Sequence, residues 1–212
     1  MKKIQEYVIE MVKLLHKRFG KAKYPLVFSS TFELLVATIL SARCTDTRVN
    51  KITKHLFLQY RTIADYANAN AYEFEHYIKS VGLYRTKTRN IISSAKLIIY
   101  KFNGTIPKTF DKLLTLPGVG RKTANIILNI GFNIYDGIAV DTHVIRIAQL
   151  LQLTTHHNPF NIEQDLIKII PRQYWSNFSF LIQNLGKNIC TARKSNHIIC
   201  PILQICKYYN KI

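Results

Sequence analysis

One stretch constrains this chain more than any other: Leu116-Pro117-Gly118-Val119-Gly120-Arg121-Lys122-Thr123-Ala124. Apolar residues at helical spacing flank it on both sides, in Phe110-Asp111-Lys112-Leu113-Leu114 before and Asn125-Ile126-Ile127-Leu128-Asn129-Ile130 after. A tight hairpin between two helices is the expected shape. Pro117 fixes one backbone angle, and Gly118 and Gly120 permit positive φ. With no bulky side chains there, the backbone N–H groups can approach a ligand closely. They stand at the start of the second helix, where free donors and the helix dipole favour an anion. Lys122 falls in the first turn of that helix, beside the anion site.

The rest of the chain reads as helix after helix. Ile4, Val8, Met11, Val12, Leu15 and Phe19 repeat at helical spacing, and Gly20 ends that run. Residues 21–28 form a linker. Ser29-Ser30-Thr31-Phe32-Glu33 opens a helix with hydroxyl caps and an early Glu, and its continuation to Ala42 is apolar on nearly all sides, as in a core helix. Arg43-Cys44-Thr45-Asp46 breaks it, and Thr45 or Asp46 caps the next. Further helices are expected at Ile63–Ala67, at about Ala71–Val81, and from Thr86 through Ile99, with Gly82-Leu83-Tyr84 as a second short hairpin. Asp141 is placed to cap a helix carrying Val144, Ile147, Ala148 and Leu151. Helices at about Ile162–Ile170 and Tyr174–Asn188 follow. Alternating strand patterns are absent apart from an ambiguous Ile138–Val140. The expected fold is all-α.

Charge narrows the partner. Thirty Lys and Arg against twelve Asp and Glu give a formal net charge of +18. Such an excess points to a polyanion, nucleic acid before an anionic membrane. An AT-rich genome also inflates Lys, Ile, Asn and Tyr, so charge alone does not establish DNA binding. The polar start of the chain does not read as a secretory signal, and the longest apolar run, Leu34–Leu40, is far too short to span a bilayer. A cytoplasmic monomer is the expectation. Of four cysteines, Cys190, Cys200 and Cys206 cluster, which in a reducing compartment suggests a metal rather than disulfides, while Cys44 stands alone.

The hairpin run Leu116–Asn125, the segment Val140-Asp141-Thr142-His143, Phe28-Ser29-Ser30 with Phe32-Glu33-Leu34-Leu35, Gly82-Leu83-Tyr84 and the cysteine cluster together resemble the endonuclease III family of helix-hairpin-helix DNA glycosylases and lyases. The likeness covers nearly the whole chain. It implies two helical domains with a DNA-binding cleft between them. One spans residues 24–134; the other joins 1–23 to 135–212 and carries an iron–sulfur cluster. The implied substrate is duplex DNA bearing oxidised or ring-damaged pyrimidines. Such DNA is bound in the cytoplasm, on the bacterial nucleoid.

The resemblance also assigns roles. Lys122 becomes the nucleophile that attacks the sugar C1′; from the residues alone, a phosphate-binding Lys is an equal reading. The positive helix end and Arg121 disfavour its protonated form. Asp141 becomes the acid–base partner, a role compatible with capping. The target base must leave the stack, and side chains at Arg43 and Leu83 are expected to fill the hole while His143 faces the lesion. The bacterial relatives carry Gln where Arg43 stands, which bears on preference for the opposite base. The family's four cysteine ligands have six, two and five intervening residues. This chain keeps the spacing as Cys190, His197, Cys200 and Cys206, with His in the second place. A [4Fe-4S] cluster with one His ligand, structural zinc, or no metal are the options, and the first is preferred because the surrounding segment matches. Arg193 and Lys194, between the first two ligands, are candidate phosphate contacts, as are Gly118, Gly120 and Arg121 in the hairpin. A monofunctional glycosylase or a non-catalytic hairpin protein are the rival readings; the first activates water and needs no amine at Lys122, and the second gives no reason for Lys122 and Asp141 together.

Overall fold

A computed structural model describes residues 2–20 and 24–211. Helices account for almost all regular structure. Among the described residues there is no β-strand, only an isolated bridge between Cys190 and Ser195, and Ile138–Val140 is irregular backbone. The chain divides into two compact units, Tyr24–Asp136 and a second one formed by Met1–Lys23 with Gly137–Ile212. The expected linker lies outside the described residues over 21–23; residues 24–30 have no helix.

The unit Tyr24–Asp136 is built on α2 (Thr31–Ser41), whose residues Phe32 and Leu34 to Leu40 are all buried. Its start is fixed twice. Ser30 accepts from the Glu33 amide, and the Glu33 carboxylate accepts from the Ser29 amide and hydroxyl. Around it come α3 (Asp46–Gln59), capped by Thr45, then α4 (Ile63–Ala67), α5 (Ala71–Ile78) and α6 (Tyr84–Phe102). Thr62 and Asp65 form a reciprocal capping box that holds the short α4. In the core Tyr66 meets Phe32 and Phe74 edge to face, and Tyr60 meets Phe74 edge to face and lies tilted against Tyr66.

α6 begins two residues earlier than the hydroxyl of Thr86 suggests. Leu83 is its N-cap in the left-handed region, with φ 60° and no side-chain cap bond. The hairpin follows between α7 (Phe110–Leu114) and α8 (Arg121–Ile126). α8 runs into a π-helical turn, Ile127–Gly131, that packs on the start of α2. A Cβ on Gly131 would lie 2.6 Å from the Thr31 methyl, so that approach needs glycine.

The other unit packs α1 (Lys2–Phe19) against α10 (Pro159–Ile169) and α11 (Trp175–Asn188), with α9 (Thr142–Leu150) against α10 and α11. Its core holds Val8, Met11, Leu15, Val144, Ile147, Ile162, Leu166, Phe178, Leu181 and Leu185. Gly20 closes α1 with φ 71°. No described helix is long and apolar enough to cross a membrane.

Candidate functional site

The hairpin is braced from three sides. Leu116 and Val119 bury their side chains in the core, and the Val119 amide donates to the Leu116 carbonyl at 3.0 Å. Ser94 of α6 donates its hydroxyl to the Pro117 carbonyl at 2.8 Å. The Arg121 guanidinium lies 4.6 Å over the Phe110 ring, tying the start of α8 to the start of α7. Gly118 takes φ +82°, and a Cβ there would sit 2.9 Å from Asn90 Nδ2 and 3.0 Å from Asn90 Cβ. Both its angle and its neighbour require glycine.

Gly120 corrects the sequence reading. Its φ is −97°, an extended angle open to any residue, because it is the N-cap of α8. What glycine supplies at this position is open space: a Cβ there would have nothing within 4 Å. No side-chain bond from the N-cap residue closes the start of α8. Lys122 is exposed at the second position of that turn.

A second exposed feature lies at the other end of α2. Arg43, just past the helix, has φ +56°, and Leu83 has φ +60° with its side chain 59% exposed. These two turns are neighbours: a Cβ on Gly82 would stand 3.8 Å from the Arg43 carbonyl oxygen. Beneath them Lys87 is only 4% exposed, and its ammonium donates to the carbonyls of Leu40, at 2.9 Å, and Ala42. Burial pulls the Lys87 ammonium down from its ordinary value, and the nearby Cys44 thiol acts the other way. Sequence reasoning passed over Lys87. The signal was there: it falls in the apolar register of α6 with Ile91, Ala95 and Ile98, where a lysine is out of place unless it has partners.

In the other unit Asp141 is the N-cap of α9. One oxygen, Oδ1, accepts from the His143 amide at 3.0 Å and the Val144 amide at 2.9 Å, which fixes the carboxylate. His143 is half-buried against Gly186 of α11, where a Cβ would meet its Nδ1 at 2.8 Å. The close packing of α9 on α11 thus depends on that glycine, another residue that sequence reading did not single out.

Cys190, His197, Cys200 and Cys206 line one small apolar pocket, walled otherwise by Ile147, Leu151, Leu185 and Ile202 among others. The three cysteines are free thiols. Burial pushes the Cys200 thiol up from its ordinary value, and Cys206 and Cys190 push it the same way. Held as thiolates, three sulfurs in an apolar wall would need a cation to neutralise them. Among the described residues no three His, Cys, Asp or Glu side chains close on a single point. Three thiols and one imidazole lining one pocket are donor types that iron–sulfur ligation uses. Sulfur acceptors are already in use: Ser195 donates to Cys190 Sγ at 3.6 Å, and the Tyr209 amide to Cys206 Sγ at 3.5 Å. The His197 ring meets Tyr209 edge-on at 4.9 Å. Arg193 and Lys194 project, exposed, from a turn closed by Thr191, whose hydroxyl donates to the Lys194 carbonyl and accepts from the Lys194 amide.

Comparison with known proteins places this arrangement. Residues 36–172 match the HhH-GPD superfamily of base excision DNA repair proteins. The chain is 43% identical to endonuclease III of Synechocystis over 93% of its own length and 90% of the relative's. It is 44% identical to endonuclease III of Buchnera aphidicola subsp. Schizaphis graminum, over 95% and 96%. Among solved structures, a non-covalent endonuclease III–DNA complex superposes with a TM-score of 0.90 at 40% identity, covering 98% of this chain and 97% of that one. A thermostable thymine-DNA glycosylase shares the fold at 21% identity with a TM-score of 0.87. The chain belongs to the HhH-GPD superfamily of base excision DNA repair proteins, within the endonuclease III family.

Proposed function

We propose that this base excision repair enzyme removes oxidised pyrimidines from duplex DNA and cuts the strand at the abasic site it creates, using Lys122 as nucleophile and Asp141 as acid–base partner. The observation that carries the assignment is Lys122 itself, exposed in the first turn of an uncapped helix behind a braced, glycine-lined hairpin. Hairpin amides hold the backbone phosphate, and the surrounding Lys and Arg, in a chain of net charge +18, add salt-sensitive attraction.

The neutral Lys122 amine attacks C1′, and the bond from C1′ to the damaged base breaks, the base leaving with a proton. The Asp141 carboxylate, fixed through Oδ1 by its two cap bonds, stabilises the positive charge on the sugar and takes up the proton that the amine sheds. Opening of the sugar ring gives a Schiff base between Lys122 and C1′. Its iminium accepts the electron pair released as a C2′ proton departs, and the C3′–O bond to the 3′ phosphate then breaks. Water releases the enzyme. A solved relative at 40% identity is a trapped endonuclease III–DNA covalent intermediate, which supports a covalent route in this chain. Arg43 and Leu83 fill the hole left by the flipped base, and His143 faces the lesion.

Cys190, His197, Cys200 and Cys206 would hold a [4Fe-4S] cluster. When bound, it neutralises the thiolates and pins the 190–206 segment, so that Arg193 and Lys194 present to the DNA backbone. The protein works as a monomer on chromosomal DNA.

The test is borohydride reduction in the presence of an abasic-site duplex. Wild-type protein forms a covalent adduct and Lys122→Ala forms none. An adduct formed by Lys122→Ala at the wild-type level refutes the assignment of the nucleophile.

A further inference from the structure

Lys87 has no place in the chemistry above, yet it is a buried cation joining two functional turns. It lies one turn into α6, and its amide donates to the Leu83 carbonyl at 3.0 Å. Its side chain crosses to the last turn of α2 and donates to the carbonyls of Leu40 and Ala42. Those carbonyls end a helix whose own last turn carries no basic residue. Lys87 supplies, from a neighbouring helix, the positive charge that a helix C-terminus favours. Ala42 is followed at once by Arg43, and Leu83 is the N-cap of the helix that carries Lys87. The ammonium therefore clamps the Arg43 turn to the Leu83 turn, and α2, buried on nearly all sides, anchors both.

We propose that Lys87 is a positioning residue that makes Arg43 and Leu83 enter the DNA as one wedge; this rests on the reading that those two side chains fill the hole of a flipped base. Two turns with separate freedom would have to find their places one after the other. Clamped, they arrive in fixed register. The clamp matters only where a stacked duplex must be opened, so it separates duplex work from attack on a strand already open.

The test uses the full-length protein and a duplex with a tetrahydrofuran abasic analogue opposite 2-aminopurine, whose fluorescence rises when it unstacks. Lys87→Met is expected to lose at least fivefold of that rise and at least tenfold in excision of an oxidised pyrimidine from duplex DNA. Its cutting of a single-stranded abasic oligonucleotide is expected to fall less than twofold. Arg43→Ala and Leu83→Ala are expected to lose the fluorescence rise as well. If they lose it and Lys87→Met keeps it, the clamp is refuted while the wedge reading survives. If they keep it, the wedge reading itself fails. An equal loss by Lys87→Met on duplex and single-stranded substrates overturns the proposal in favour of a general structural role. Should Lys87→Met not fold, hydrogen exchange of the wild-type protein decides. The Cys44 and Lys87 amides, each hydrogen-bonded within its own turn, are expected to open together, and independent opening overturns the clamp.

Discussion

Replacing Gly118 with Ala probes the hairpin where angle and packing coincide. An L-residue at φ +82° lies in the left-handed region, at about 1–2 kcal/mol. The new methyl would stand 2.9 Å from Asn90 Nδ2, 3.0 Å from its Cβ and 3.3 Å from its Cγ. The Nδ2 end can swing away, but the Cβ is fixed to α6, so the hairpin must lift or the helix must shift. Overpacking of this kind costs about 1–3 kcal/mol. The sum is about 2–5 kcal/mol, or roughly 4–20 °C in Tm for a chain of this size. Gly120→Ala is the internal control. Its φ of −97° suits alanine and nothing lies within 4 Å, so stability should change by less than about 0.5 kcal/mol. Differential scanning calorimetry of both variants, with Asn90→Ala added to Gly118→Ala, measures the two contributions. Asn90→Ala removes the Nδ2 and Cγ contacts and should restore part of the packing share while leaving the backbone share. A Gly118→Ala protein that melts at the wild-type temperature, or a Gly120→Ala protein that falls as far, would refute the reasoning from φ and Asn90.

Asp165 gives a pH dependence whose sign is fixed. The Thr154 hydroxyl bond, with His156 2.8 Å away on the same oxygen, holds its carboxyl below the usual carboxylate range. A depressed folded-state value contributes stability above the unfolded value near about 3.9. That contribution is lost as pH falls through the lower folded value, so Asp165→Asn should destabilise at pH 7, and thermal melts should show the gap to wild type closing in acid. For the metal site, the purified protein should be brown with broad absorption toward the blue, and His197→Ala should bleach faster in air. Colourless protein with stoichiometric zinc by elemental analysis would overturn the cluster.

Much of the scaffold was readable because local signals and burial agree. α4 runs over the expected Ile63–Ala67, since Thr62 and Asp65 cap it by side-chain chemistry written in four consecutive residues. Asp141 caps α9 for the same reason. Where the structure departs, the deciding term is tertiary. α6 starts at Tyr84 because Leu83 accepts a left-handed angle with no cap bond, and no side-chain pattern encodes that. The π-helical turn at Ile127–Gly131 lies in a run so apolar that α and π geometry read alike. The place of His197 on the cysteine cavity was legible from spacing. The clamp of Lys87 was not, because its partners are carbonyls, which carry no residue identity.

Arg43 and Leu83 share one backbone oddity, a positive φ without glycine. Each position would be relieved by glycine of about 1–2 kcal/mol of left-handed strain, against about 0.5–1 kcal/mol for the freer unfolded chain. A selection that scored folding alone would drift both positions toward glycine. A selection that scored repair would hold two large side chains against that drift. If the two side chains enter the DNA as proposed, these turns are places where the demands of persistence and of use point in opposite directions.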